Sequence, residues 1–205
     1  THLTELIRDN MSELLSYVET QNLLDELPNE HQKLVGEVVP NQISVGGIQR
    51  VLQNLLNERV SIRDLPTILE GISEACAFTR NVTQLTEHVR SRLSRQISEQ
   101  NSTEDNFIPL VTLSAEWEQI FSDSILDQGE DKQLSMAPSQ LQRFIGAVRT
   151  TLDELVDIED PPVVLTSPLA RPFVRSIIER FRPATSIMSQ NELHPKAKIK
   201  TLGQI

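Results

Sequence analysis

Ser44-Val45-Gly46-Gly47-Ile48-Gln49-Arg50-Val51-Leu52-Gln53-Asn54-Leu55-Leu56-Asn57-Glu58-Arg59-Val60-Ser61-Ile62-Arg63-Asp64-Leu65-Pro66-Thr67-Ile68-Leu69 is the stretch from which the fold is read. Ile48, Val51, Leu52, Leu55 and Leu56 recur at three- and four-residue spacing, the mark of one buried helix face. Ser44 stands where a hydroxyl can accept from the free amides of the first turn. Arg59–Arg63 reads as a tight connection. Asp64 then caps a second helix, with Pro66 in its first turn, where a missing N–H costs nothing. Ile68, Leu69 and Ile72 point inward from it.

Helices extend from this pair in both directions. Upstream, Leu3, Leu6, Ile7, Met11, Leu14 and Leu15 form an amphipathic stripe. Short helices follow over Glu19–Leu27 and Gln32–Val39, broken by Pro28-Asn29 and Pro40-Asn41. Downstream, Asn81 and Gln84 have capping-box spacing for a helix carrying Leu85, Val89, Leu93 and Ile97. Cys76, between Ala75 and Ala77, is expected to be a buried structural thiol.

Beyond Ile97 the period changes. Ser98–Asn106 is polar and reads as a linker about which two domains can move as bodies. Phe107–Leu113 is a short apolar strand, and Ser114 caps a helix with Trp117, Ile120, Phe121 and Ile125. Asp127–Ser135 reads as an acidic, Gly-containing loop, and a helix from Pro138 carries Leu141, Phe144, Ile145, Val148 and Leu152. Val163–Thr166 is a buried-type strand, and Ser167-Pro168 opens a helix with Leu169, Val174, Ile177, Ile178 and Phe181. Thr185–Ser189 and Ala197–Leu202 are further strands. The predicted class is α+β and multi-domain: an N-terminal all-helical domain, then a small α/β domain with a sheet of short strands.

Composition limits the function. No apolar run reaches the ~18 residues of a membrane span. The chain opens Thr1-His2-Leu3, without an initiator Met or a basic leader, and is read as a piece of a longer protein. Its single cysteine excludes an internal disulfide. A net charge of −10 argues against nucleic acid as a main partner. The charge is uneven: residues 1–160 carry 12 Lys/Arg against 27 Asp/Glu (−15), whereas residues 161–205 carry 7 against 2 (+5). Such a split reads as a solvated face or as complementary docking between neighbouring copies.

No catalytic constellation emerges. The glycines at 36, 46, 47, 71, 129, 146 and 203 form no phosphate-cradling motif. His2, His31, His88 and His194 stand on separate elements, none at metal-ligand spacing. The acids of Asp153-Glu154 and Asp157–Asp160 lie at a helix end and its loop, where solvation is the ordinary role. No cofactor, metal or catalytic residue is expected. A hydrolase or transferase using a Ser, Cys76 or a carboxylate pair would need a deep pocket of converging polar groups.

Leu34-Val35-Gly36-Glu37-Val38-Val39-Pro40 together with Val51–Glu70 resembles the signature block of the bacterial type III export-gate family. The resemblance continues at Leu85-Thr86-Glu87-His88-Val89-Arg90, Pro161–Thr166, Arg171-Pro172 and Met188-Ser189-Gln190-Asn191-Glu192, and covers essentially the whole chain. Ser61–Glu70 and Lys200–Ile205 look more flagellar than injectisome, with a virulence injectisome as the alternative. The resemblance implies that residues 1–14 are the last helix of a preceding subdomain, 15–97 a helical subdomain and 98–205 an α/β subdomain. It implies a protein on the cytoplasmic face of the bacterial inner membrane, held there by an N-terminal region outside this sequence. The implied partners are export substrates, their chaperones, other export-apparatus proteins including the ATPase complex, and further copies in a ring, usually of nine. Thr1, in Thr1-His2-Leu3, matches the family segment whose threonine contributes to chaperone and substrate docking.

Overall fold

A computed structural model describes residues 2–205. The chain divides into two compact units, the first running to Leu93 and the second from Ser94.

The first unit is wholly helical. It contains α1 (His2–Asp9), α2 (Met11–Leu14), α3 (Tyr17–Asp25), α4 (Asn29–Val38), α5 (Val45–Asn57), α6 (Leu65–Ala75) and α7 (Val82–Arg92). The expected caps are made: the Ser44 hydroxyl accepts from Gly47 N–H at 3.1 Å, and Asp64 accepts from Thr67 N–H at 3.3 Å. Asn81 accepts from Gln84 N–H at 3.1 Å. Each satisfies one of the donors that the first turn leaves without an intrahelical partner. Ile48, Val51, Leu52 and Leu55 of α5 are fully buried with Ile68, Leu69 and Ile72 of α6, and Val89 of α7 joins them. Gly71 lets α6 and α7 approach, since a Cβ there would stand 3.3 Å from the Val89 side chain. Arg90 is buried on α7, with its Nη1 3.3 Å from Glu58 Oε2, so the charge that α7 carries inward meets a carboxylate at the end of α5.

The second unit is built on a four-stranded sheet in the order β5-β4-β1-β6. The strands are β1 (Phe107–Thr112), β4 (Val163–Thr166), β5 (Ile187–Ser189) and β6 (Lys198–Gln204), and every pairing is parallel. The β1–β4 connection runs through α9 (Ala115–Ser124) and α10 (Pro138–Asp153), the β4–β5 connection through α11 (Arg171–Ile178), and the β5–β6 connection through a short 3-10 turn at Gln190–Glu192. Val111 and Val164 pack with Phe121, Phe144, Val148, Leu152, Val174, Ile178 and Ile187. Trp117 and Phe121 both meet the Phe144 ring edge-on, with centroids 5.1 and 4.9 Å away, which supplies much of the bulk in an aromatic-poor chain.

Several expectations are corrected. Asp127–Ser135 is not a loop: β2 (Ile125–Gln128) and β3 (Asp131–Leu134) form a hairpin, turned at Gly129 with φ +70°. A glycine reaches that φ without strain. The helix from Asn81 does not run through Ile97, because Leu93 ends α7 and α8 (Ser94–Gln100) belongs to the second unit. Ser98–Asn106 is accordingly no flexible linker. Its first three residues are helical, and Ser98 is buried. Its remainder is a turn in which Thr103 N–H donates to Phe107 O at 2.8 Å. The helix expected at Ser167-Pro168 starts at Arg171, after a turn in which Ala170 N–H reaches the Ser167 hydroxyl. Cys76 is half-buried, its Sγ 3.8 Å from Gln42 O.

Candidate docking surfaces

Thr1 lies outside the described residues. Among those described, the exposed apolar side chains on helices concentrate at the start of the first unit: Leu3, Leu6 and Ile7 on α1, Met11 and Leu14 on α2, Tyr17 and Val18 on α3. The stripe read from the sequence exists, but only Leu15 of it is buried. Gln49 and Gln53 of α5 donate to Leu15 O at 3.0 and 3.2 Å and hold this stretch to the domain. Exposed apolar side chains gathered on successive helices are candidates for a contact surface.

A second feature stands where α6 meets α7. His88 Nε2 lies 2.9 Å from Glu74 Oε2, and Arg92 bridges Glu74 and Glu70 at 3.6 and 3.2 Å. The Phe78 ring meets His88 edge-on at 5.7 Å while remaining 68% exposed. An exposed ring held edge-on by a neighbouring ring has the form of a contact anchor.

The second unit carries an open groove of about 390 Å³ lined by Arg95, Ser98, Ser102, His194, Lys196 and Lys198, among others. Its floor is rigid. Ser98 Oγ donates to Glu192 O and accepts from His194 N–H, both at 2.9 Å. Glu192 is itself fixed by Arg171, with Nε 3.4 Å from Oε2 and both side chains 1% exposed. Arg171 Nη1 also donates to Ile187 O at 2.8 Å, tying the pair to β5. A buried ion pair of this kind persists only when further hydrogen bonds satisfy it.

Of the described histidine side chains, none meets another; that of His2 lies outside the described residues. His31 lies 3.4 Å from Glu30, His88 is held by Glu74, and His194 Nδ1 accepts from Lys196 N–H at 3.2 Å. Among the described residues no group of three or more His, Cys, Asp or Glu could hold a metal, and no helix is long and apolar enough to cross a membrane. Sequence reasoning missed the groove. Lys196 and Lys198 were visible at period two, but the bonds that Ser98 makes to Glu192 and His194 join residues far apart in the chain.

Residues 1–198 match the family model described as the FHIPEP family. The chain is 53% identical over all 205 residues to the flagellar biosynthesis protein FlhA of Caulobacter vibrioides, and spans 29% of that relative's length. The structure superposes on nonameric EPEC SctV-C with a TM-score of 0.86 at 27% identity, covering 99% of this chain and 61% of that one. It also superposes on the Chlamydia pneumoniae CdsV and CdsO protein complex with a TM-score of 0.90 at 29% identity, covering 100% and 60%. With the match running through both units, the chain belongs to the FHIPEP family.

Proposed function

We propose that the chain is the cytoplasmic docking and ring-forming part of a flagellar type III protein export gate. It receives export substrates and chaperone–substrate complexes and passes them towards translocation. The observation that carries this reading is the 53% identity to a flagellar FlhA along the whole chain. Self-assembly is supported by the nonameric relative, and contact with another protein of the export apparatus by the relative solved with CdsO; the ATPase complex belongs to the same proposal. The role is binding, and its surfaces are the exposed stripe of α1–α3, Phe78 and the basic groove. Thr1 contributes to chaperone and substrate docking, and the bacterial inner membrane is reached through parts of the longer protein outside this sequence.

The test is capture of flagellar chaperone–substrate complexes by the full-length protein in membranes, with Thr1→Ala compared alongside. Capture that weakens at least several-fold in the variant supports the reading. No capture by the unaltered protein overturns it. Export of effectors but not of flagellar subunits, in cells lacking their own flagellar gate, would move the assignment to an injectisome.

A further inference from the structure

We propose that the outer edge of β6 accepts the segment Val156–Glu159 of a neighbouring copy as an added strand. The inference rests on the ring-forming role given above.

β6 ends the sheet, so one row of its backbone groups faces away from β1. Lys198, Ile199, Lys200 and Thr201 are exposed in succession. Alternation puts Lys198 and Lys200 on one face and Ile199, 53% exposed, on the other. The Lys200 ammonium sits 5.4 Å from the Phe107 ring centre, and no carboxylate lies within ion-pair distance of Lys196, Lys198 or Lys200 among the described residues. Lysines on an edge repel apolar strands. They admit one that carries acids at alternate positions.

Val156-Asp157-Ile158-Glu159 has that pattern. Val156 is 68% and Ile158 40% exposed, and Asp157 and Glu159 make no ion pair among the described residues. Laid beside β6 in either direction, with Ile158 opposite Ile199, the segment sets Asp157 and Glu159 against Lys198 and Lys200. The antiparallel alignment pairs Asp157 with Lys200, and the parallel one pairs it with Lys198. Length also matches, because the register slips between Leu110 and Val111 and bends β6 after Thr201. Only four residues of edge stay straight. Extending the segment releases two turn bonds, Val156 N–H to Asp153 O at 3.4 Å and Ile158 N–H to Leu155 O at 3.2 Å, and edge pairing replaces them. A donor segment and a different acceptor edge on each copy make a heterologous contact, the kind that closes into rings.

The test uses the full-length protein in membranes with Cys76→Ser. One tagged chain carries Ile158→Cys and another Ile199→Cys, and the mixture is oxidised. A disulfide-linked heterodimer is expected. It should fall at least tenfold with Lys198→Glu/Lys200→Glu on the acceptor, and return when Asp157→Lys/Glu159→Lys is placed on the donor. Assembly by size measurement without this cross-link overturns the inference and leaves the export-gate reading standing. A link insensitive to charge reversal, a bond formed only within one chain carrying both cysteines, or an edge filled by another acidic protein also overturns it. Failure to assemble at any concentration overturns the ring-forming role as well.

Discussion

At the scale of single residues, the buried pair Arg171–Glu192 is the sharpest point. Replacing Arg171 by Met removes the cation of a buried ion pair, which is expected to cost about 3–5 kcal/mol. Denaturant titration of the full chain reads this as a lowered midpoint. Arg171→Met/Glu192→Gln should recover part of the loss, and no loss in the single variant would refute the account. Gly47→Ala tests packing instead. Its Cβ would stand 2.5 Å from Ile43 Cγ1, so about 1–3 kcal/mol is expected, relieved by Ile43→Ala in the same chain. Arg171 was legible in the sequence as part of Arg171-Pro172, but its partner was not. Nothing local says that a Glu in Met188–Glu192 folds back beneath it, because tertiary pairing leaves no periodic trace.

Among the elements, those whose apolar spacing and caps agree were readable to within a residue or two, α5 and α6 above all. Ser44→Ala and Asp64→Ala should each cost about 1 kcal/mol, additively, since the two caps serve different helices. The β2–β3 hairpin was not readable. Asp127, Gln128, Asp131, Lys132 and Gln133 are all exposed, so no hydrophobic alternation distinguishes strand from loop, and Gly129 was the only signal present. Gly129→Ala should destabilise the hairpin by about 1 kcal/mol, visible as faster amide exchange over residues 125–134 with the rest unchanged. The break at Leu93 was missed because Leu85, Val89, Leu93 and Ile97 keep helical spacing straight across it. The residues after the break pack instead against the turn Gln190–Glu192 of the second unit.

For the molecule as a whole, the unit boundary falls between Leu93 and Ser94, four residues before the change of composition at Ser98. Polarity alone misplaced it, since Ser98 is a polar residue with buried polar partners. Residues 94–205 expressed alone are expected to unfold cooperatively, whereas residues 101–205, lacking the Ser98 bonds to Glu192 and His194, should lose at least 1–3 kcal/mol. Equal stability of the two pieces would show that α8 is dispensable. The docking surfaces were the least legible part, because they are made of residues that burial leaves out, and periodicity reports only what is buried.

The pairing of β1 with β6 also bears on biosynthesis. On the ribosome, Phe107–Thr112 is made well before Lys198–Gln204, and its free side stays open for on the order of five to twenty seconds at ordinary elongation speeds. During that interval β1 keeps open the row of backbone N–H and C=O groups that β6 pairs with in the finished protein. A stalled or prematurely terminated polypeptide would present that sticky margin permanently, making it a natural target for chaperone retention or degradation.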